Sequence, residues 1–317
     1  EMVSRWAEDH GLPRTALAFA QSAALATPDR PGPALAVAQL ARRNAEYRRA
    51  ETWFRRALGL ARRNGDARHY ALASLGLGTL HRQRGDHRAA RSWYSRALRI
   101  SRRRSLWDVR PLAMHDLFCI AAAAGDAEEA ESWAQRAFKA YGRRHPKLVS
   151  LAHDVARFWL VCGRYDQALR VFRAVLAHTR RTAERRVVAS SMARAAAGLR
   201  DRLTFAAMWS EVWRLVDEFE DNEAVPQALI ALAEGAAILG DPDRGQIAAS
   251  QALRIAILRE ETEQRRAAER VLLSLRKVRI RVSNATPPEP AEARSGPDFA
   301  AALVEALKID FAPSLAD

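Results

Sequence analysis

The stretch "GDHRAARSWYSRA" occupies residues 85–97. It opens on a glycine, reaches an alanine five residues later, then carries paired aromatics and a second alanine. The same order recurs in "AEYRRAETWFRRA" (45–57), "GDAEEAESWAQRA" (125–137) and "GRYDQALRVFRAV" (163–175). Fainter copies are "GLPRTALAFAQSA" (11–23), "DRLTFAAMWSEVW" (201–213) and "GDPDRGQIAASQA" (240–252). Aligned on their first residues, the copies turn at Gly11, Ala45, Gly85, Gly125, Gly163, Asp201 and Gly240, with spacings of 34, 40, 40, 38, 38 and 39. Trp53, Trp93, Trp133 and Trp209 then share one position, where Phe19 and Val171 stand in two other copies. A period this regular marks a repeat architecture, in which each unit buries its apolar face against its neighbours.

Each unit reads as two helices. "YALASLGLGTLHRQR" (70–84) precedes a turn residue and "RAARSWYSRALRISRR" (88–103) follows it, and both show the i, i+3, i+4, i+7 apolar spacing of an amphipathic helix. Pro31, Pro111 and Pro226 are placed to open first helices, where a missing N–H costs nothing. Glycine at the turn suits a helix C-terminus that needs positive φ. Ala50, Ala57, Ala90, Ala97, Ala130 and Ala137 allow close helix approach, and the neighbouring aromatics fill the gaps.

This framework resembles the tetratricopeptide repeat family, whose unit is a helix–turn–helix of about 34 residues. The likeness covers about residues 1–260. Gly78 matches the family's first-helix glycine. The resemblance implies an all-α, right-handed superhelical solenoid of about seven repeats. The period of about 40 calls for longer helices or longer inter-repeat loops than the family consensus, and Trp107 falls in one such connector. The first unit is cut short, as expected of a trimmed N-terminus or an uncapped end. Beyond it, residues 261–282 are expected to form a capping helix with Leu272, Leu275 and Val278 on one side, and 283–297 a Pro-rich linker. Residues 298–317 comprise a short amphipathic helix, "DFAAALVEALKID" (298–310), and a tail. Asp298 is its N-cap, and Phe299, Leu303, Ala306 and Leu307 share a face. That helix is too short to be stable alone, so it frays, docks on its own groove, or covers a neighbouring molecule or a partner.

Composition narrows the function. The chain of 317 residues is about half apolar, enough for a sizeable core. Its net charge of +14 is confined to residues 42–110, which hold 19 Arg and five acidic residues. Such a segment attracts an acidic partner. Arg outnumbers Lys 47 to 4, the bias of a GC-rich genome, which alone would place Arg on solvated helix faces. Cys119 and Cys162 form neither a disulfide framework nor a zinc spacing, and a reducing, cytoplasmic setting is expected. No apolar run has the length to span a bilayer and no secretory signal is visible, so no membrane role is expected.

Motifs of catalysis are missing. There is no P-loop, no glycine-rich dinucleotide turn, no H-E-x-x-H and no G-x-S-x-G, so a non-enzymatic protein without cofactors is expected. The remaining candidates are two His-Asp pairs in "AMHDLF" (113–118) and "LAHDVA" (151–156). His115 and His153 each lie ten residues before a turn glycine, so the pairs are one repeat position copied twice. Three roles stay open: Asp116 and Asp154 bonding neighbouring helices, the histidines contacting a ligand, or a metal held with Cys119.

In the resembled family, first helices line a concave groove that grips peptides, through a stripe at about −13, −10, −6, −3 and −2 from the turn residue. Carried onto this chain, the stripe holds Gln39, Arg42 and Arg43, then Thr79, Arg82 and Gln83, then His115 and Cys119, then Ser150, His153 and Arg157, with Ser191 and Glu234 in later units. Arginines at its start suit an acidic or carboxylate-bearing peptide. A nucleic acid is disfavoured as the main ligand, because the arginines fall on both helices of the units and Trp53 and Trp93 read as packing residues. The expected role is a protein interaction scaffold with a protein or peptide partner. The alternative is the partner-sensing module of a transcriptional or signalling regulator. Self-association through 298–310 is a further possibility.

Overall fold

The computed structural model describes residues 2–9, 12–143, 145–217, 224–259, 261–281 and 298–308. All regular secondary structure among them is helical, and the chain divides into two compact units, 1–142 and 143–317. The first unit holds four hairpins: α1 (Met2–Asp9) with α2 (Pro13–Ala26), α3 (Pro31–Arg43) with α4 (Tyr47–Arg63), α5 (Ala67–Gln83) with α6 (His87–Arg103), and α7 (Arg110–Ala123) with α8 (Ala127–Tyr141). The second holds three: α9 (Leu148–Val161) with α10 (Tyr165–His178), α11 (Thr182–Gly198) with α12 (Arg202–Asp217), and α13 (Val225–Leu239) with α14 (Pro242–Leu258). It ends in α15 (Thr262–Arg281) and α16 (Phe299–Leu307). The expected Gly11 turn, the Pro-rich stretch 283–297, residues 309–317 and the Val278 side chain lie outside the described residues.

The long period has a local cause. Ala45, Gly65, Gly85, Ser105 and Gly125 all have positive φ, and they fall every twentieth residue. Each closes a helix by the same pair of hydrogen bonds. The Gly85 N–H donates to the Arg82 carbonyl at 3.0 Å and the Asp86 N–H to His81 at 2.9 Å, the six-to-one bond that satisfies a helix C-terminus. Asp66 and Ala61, Leu106 and Ser101, and Asp126 and Ala121 repeat that bond at 2.9, 2.9 and 3.1 Å. Turns inside and between hairpins are therefore alike, and the extra residues lie in the helices. α4, α5 and α6 each run 17 residues. Asp66, Asp86, Asp126 and Asp241 then cap the following helices by accepting from His69, Ala89, Glu129 and Arg244 N–H groups. Pro31, Pro111 and Pro226 open α3, α7 and α13, as expected.

One repeat has a different register from the sequence alignment. The residue with positive φ between α11 and α12 is Arg200, not Asp201. Asp201 is the cap, accepting from the Thr204 N–H at 2.9 Å as Asp86 does from Ala89. Trp209 therefore stands nine residues past its turn, level with Phe54, Tyr94 and Phe172 rather than with Trp53, Trp93 and Trp133. The two positions do different work. Phe54, Tyr94 and Phe172 are at most 1% exposed and act as the core knobs of their hairpins, each burial contributing about 1.5–3 kcal/mol. Trp53, Trp93 and Trp133 lie beside them and carry Arg56, Arg96 and Arg136 over their rings at 5.0, 4.9 and 4.9 Å.

The knobs need space on the first helices. A Cβ on Gly78 would lie 2.5 Å from the Tyr94 ring, and one on Gly76 would lie 2.1 Å from Phe54. Ala50, Ala57, Ala90, Ala97, Ala130 and Ala137 are all 0% exposed, which lets the helices close around them. In the second unit, Arg186 is fully buried on α11 and donates through Nε and Nη2 to the Leu215 carbonyl at 3.1 and 2.8 Å. It serves the open C-terminal end of α12. Leu275 of α15 is 3% exposed and packs into the core of α11 to α14.

Candidate functional site

The predicted stripe residues fall into three places. In the first unit, Gln39 and Arg43 of α3 border a cavity of about 590 Å³ together with Arg30, Asp66 and His69. His69 is held by Asp66, whose Oδ2 lies 2.6 Å from its Nδ1. Burial pushes the Arg43 guanidinium down from its ordinary value. Arg42, half-buried one residue before, does not border this cavity. Gln83 is exposed at the end of α5 and does not border it either.

Thr79, Arg82, His115 and Cys119 gather one hairpin further on. The Tyr94 hydroxyl bonds Thr79 Oγ1 at 3.3 Å. Burial works against the Arg82 charge, and Tyr94, Cys119 and Asp116 more than offset it, holding the guanidinium above its ordinary value. Burial pushes the Tyr94 phenol up, and the Asp116 carboxylate pushes it further. Asp116 on α7 is thus near enough to Arg82 on α5 for its charge to favour the guanidinium. His115 lies 3.4 Å from the Tyr141 hydroxyl through Nδ1 and stacks on Phe118. Thr79, Arg82, His115 and Cys119 are all half-buried, and the Arg82 Nε is buried with no hydrogen-bond partner.

The second unit differs. Ser150, His153 and Arg157 of α9 line one cavity of about 380 Å³, closed by α10, α11 and the start of α13. Its floor is apolar, from Val175, Val187 and Val188. Its rim is polar. Ser150, Arg157 and Gln227 have no side-chain partner among the described residues. His153 Nδ1 is 3.4 Å from Asp154 Oδ1, while its Nε2 is buried without a hydrogen bond. A buried unbonded imidazole nitrogen carries a desolvation cost that a bound group would relieve.

Sequence reasoning missed Gln227 and Glu184 at this cavity, while Asp154, singled out with His153, also lines it. Gln227 was findable, because it stands thirteen residues before Gly240 as Ser150 stands before Gly163. The chosen later residues point elsewhere. With the turn at Arg200, Ser191 slips off the −10 position, and it is 7% exposed within the core. Glu234 is paired with Arg194 at 2.9 Å. Thr179 and Ala224 reach the cavity from helix ends, where no period announces them.

No helix among the described residues is long and apolar enough to cross a membrane. No curated protein matches the chain in sequence. The tetratricopeptide repeat model matches residues 32–103. Among solved structures, a chain of the APC/C hetero-tetramer Cut9-Hcn1 superposes with a TM-score of 0.63 at 12% identity, covering 86% of this chain and 48% of that chain. This chain thus spans about half the length of that relative. A Rap protein complexed with competence and sporulation factor gives 0.55 at 12% identity, over 77% and 74% of the two chains. A tetratricopeptide repeat protein from Parabacteroides merdae gives 0.53 at 13% identity, over 84% and 96%. With its helical hairpins and shared turn geometry, the chain has the all-α helical-repeat fold, and residues 32–103 within it match the tetratricopeptide repeat family.

Proposed function

We propose that the chain is a non-catalytic interaction scaffold that binds a peptide or protein segment along its first helices, and that Ser150, His153, Arg157 and Gln227 grip that segment in the second unit. The observation that carries this reading is the cavity of about 380 Å³, whose rim holds three unpartnered polar side chains and a buried imidazole Nε2 without a bond. An apolar floor with a few convergent polar groups is the usual make-up of a ligand site. Arg157 is an exposed guanidinium with no ion pair among the described residues, so an acidic side chain or a terminal carboxylate is the group it fits. In the first unit, Arg30 and Arg43 at the larger cavity extend the same preference.

The test is selection of a random peptide library on the full-length protein and on Arg157→Glu. Acidic peptides are expected to be enriched by the first and lost with the second. Equal enrichment on both, or none on either, overturns the reading. A partner-sensing regulatory module is the second reading. It draws support from the fold shared with the Rap protein, whose structure holds a competence and sporulation factor. There, peptide binding would alter hydrogen exchange in helices that do not touch the cavity.

A further inference from the structure

The face of α9 and α10 that carries α16 has features the other hairpins lack. Four residues before the turn, those hairpins carry Ala41, Ala121, Ala196 and Ala236, or His81 in α5. Here the position holds Trp159, which is fully buried, and Phe299 meets its ring edge-on with centroids 5.8 Å apart. Phe299, Ala300, Leu303, Ala306 and Leu307 are all at most 9% exposed. An isolated helix of nine residues is marginal in water, so α16 owes its form to this seat.

Polar clasps hold both ends. Arg170 Nη1 donates to Asp298 Oδ2 at 2.9 Å while Asp298 Oδ1 accepts from the Ala301 N–H at 3.1 Å. The Arg170 guanidinium keeps the Asp298 carboxyl below its ordinary range. At the far end, His178 Nε2 bonds the Leu307 carbonyl at 2.6 Å. Arg170 and His178 are eight residues apart, or about 12 Å along α10, and Asp298 to Leu307 spans about 13.5 Å. The helix therefore runs parallel to α10, with its length set by the two clasps. No described residue of α16 lines the cavity of the second unit, so this face is separate from the peptide site.

We propose that the α9/α10 flank is a helix-docking site, that it recognises an acidic N-cap followed by apolar residues at the first, fifth and ninth helical positions, and that α16 is its built-in occupant, displaced by a partner helix carrying the same pattern. Both halves of the recognition are on the molecule: an aromatic and aliphatic seat, and a cation and an imidazole at fixed separation. Sixteen residues, 282–297, join α15 to Asp298, so the resident helix competes at a high effective concentration. A partner helix must bind more tightly to replace it.

The probe is a fluorescent synthetic peptide of residues 296–310. The receptor is the full chain with Phe299→Ala, Leu303→Ala and Leu307→Ala, which empties the seat. Saturable anisotropy is expected with this variant, and binding at least about tenfold weaker with the unmodified chain. Arg170→Glu in the emptied chain is expected to weaken binding, and a peptide with Asp298→Arg to restore it. Absent binding to an emptied chain of unchanged circular dichroism overturns the proposal, as does binding indifferent to Arg170→Glu. If the emptied chain loses helicity, hydrogen exchange on the unmodified protein decides. Amides of 299–307 exchanging ahead of α9 and α10 support a displaceable helix. Exchange only with global unfolding overturns it.

Discussion

Single residues set how closely the helices approach. Gly78 has the Tyr94 ring where a Cβ would sit, at 2.5 Å, and Tyr94 is 0% exposed with nowhere to retreat. Gly78→Ala is expected to lower stability by about 1–3 kcal/mol, read from a shifted denaturation midpoint. Gly59, inside α4, has nothing within 4 Å of its Cβ site. Gly59→Ala should instead raise stability by about 0.5–1 kcal/mol, because only the helix penalty of glycine is removed. The two glycines look alike in sequence. Gly78 could be picked out by its match to a family position, but the reason for it lies in a ring contributed by the next helix.

At the scale of the element, the turn is the repeated device. Its left-handed residue is a glycine in most copies, whereas Ala45, Ser105 and Arg200 hold φ of 59, 52 and 60 with a side chain. An L-residue there carries a penalty of about 1–2 kcal/mol. Ala45→Gly and Ser105→Gly are each expected to raise the thermal midpoint, by the equivalent of up to about 1 kcal/mol, and Gly85→Ala to lower it by a similar amount. The left-handed turns at Gly65 and Ser105 were not legible as partners of Gly85. The aligned motif begins at the turn inside the hairpin, and a serine gives no local sign of positive φ. The slip at Asp201 has the same origin, because Arg200 occupies a conformation its residue type does not announce. The positive φ of Arg200 and the hydrogen bond that the Thr204 N–H donates to Asp201 fix the register.

Across the whole molecule, carboxylates in both units are held by arginines. The Arg91 fork on Glu129, at 2.8 and 2.6 Å, lowers that carboxyl below its ordinary value. Arg55 and then Arg84 do the same for Glu51, and Arg214 and then Arg185 for Glu211. A lowered native value means that the unfolded chain takes up protons first as pH falls. The contribution to stability is thus complete above the unfolded values of about 4 and disappears as pH drops through the native ones. The thermal midpoint is expected to be level near neutrality and to fall below about pH 4, and Glu129→Gln should flatten part of that fall. Each unit also has its own apolar core, around Leu17, Phe54 and Leu77 in one and Phe205, Leu229 and Leu275 in the other. Residues 1–142 and 143–317, produced separately, should each give helical circular dichroism and a cooperative melt. A fragment that stays unfolded would show that its core depends on the other.

The sequence by itself determined the helical hairpin, its period, its proline-opened first helices and its likeness to tetratricopeptide repeats, because these rest on local spacing and turn chemistry repeated along the chain. It also named Ser150, His153 and Arg157 as neighbours, since a fixed offset from a turn places residues on one helical face. Tertiary structure alone decided that Gln227 borders the second-unit cavity beside Ser150, His153 and Arg157, and that α16 seats on α9 and α10. Those outcomes depend on which side chain from a distant segment satisfies a buried polar atom or covers an apolar face. Arg170 meets Asp298 across 128 residues, and no periodicity reaches that far.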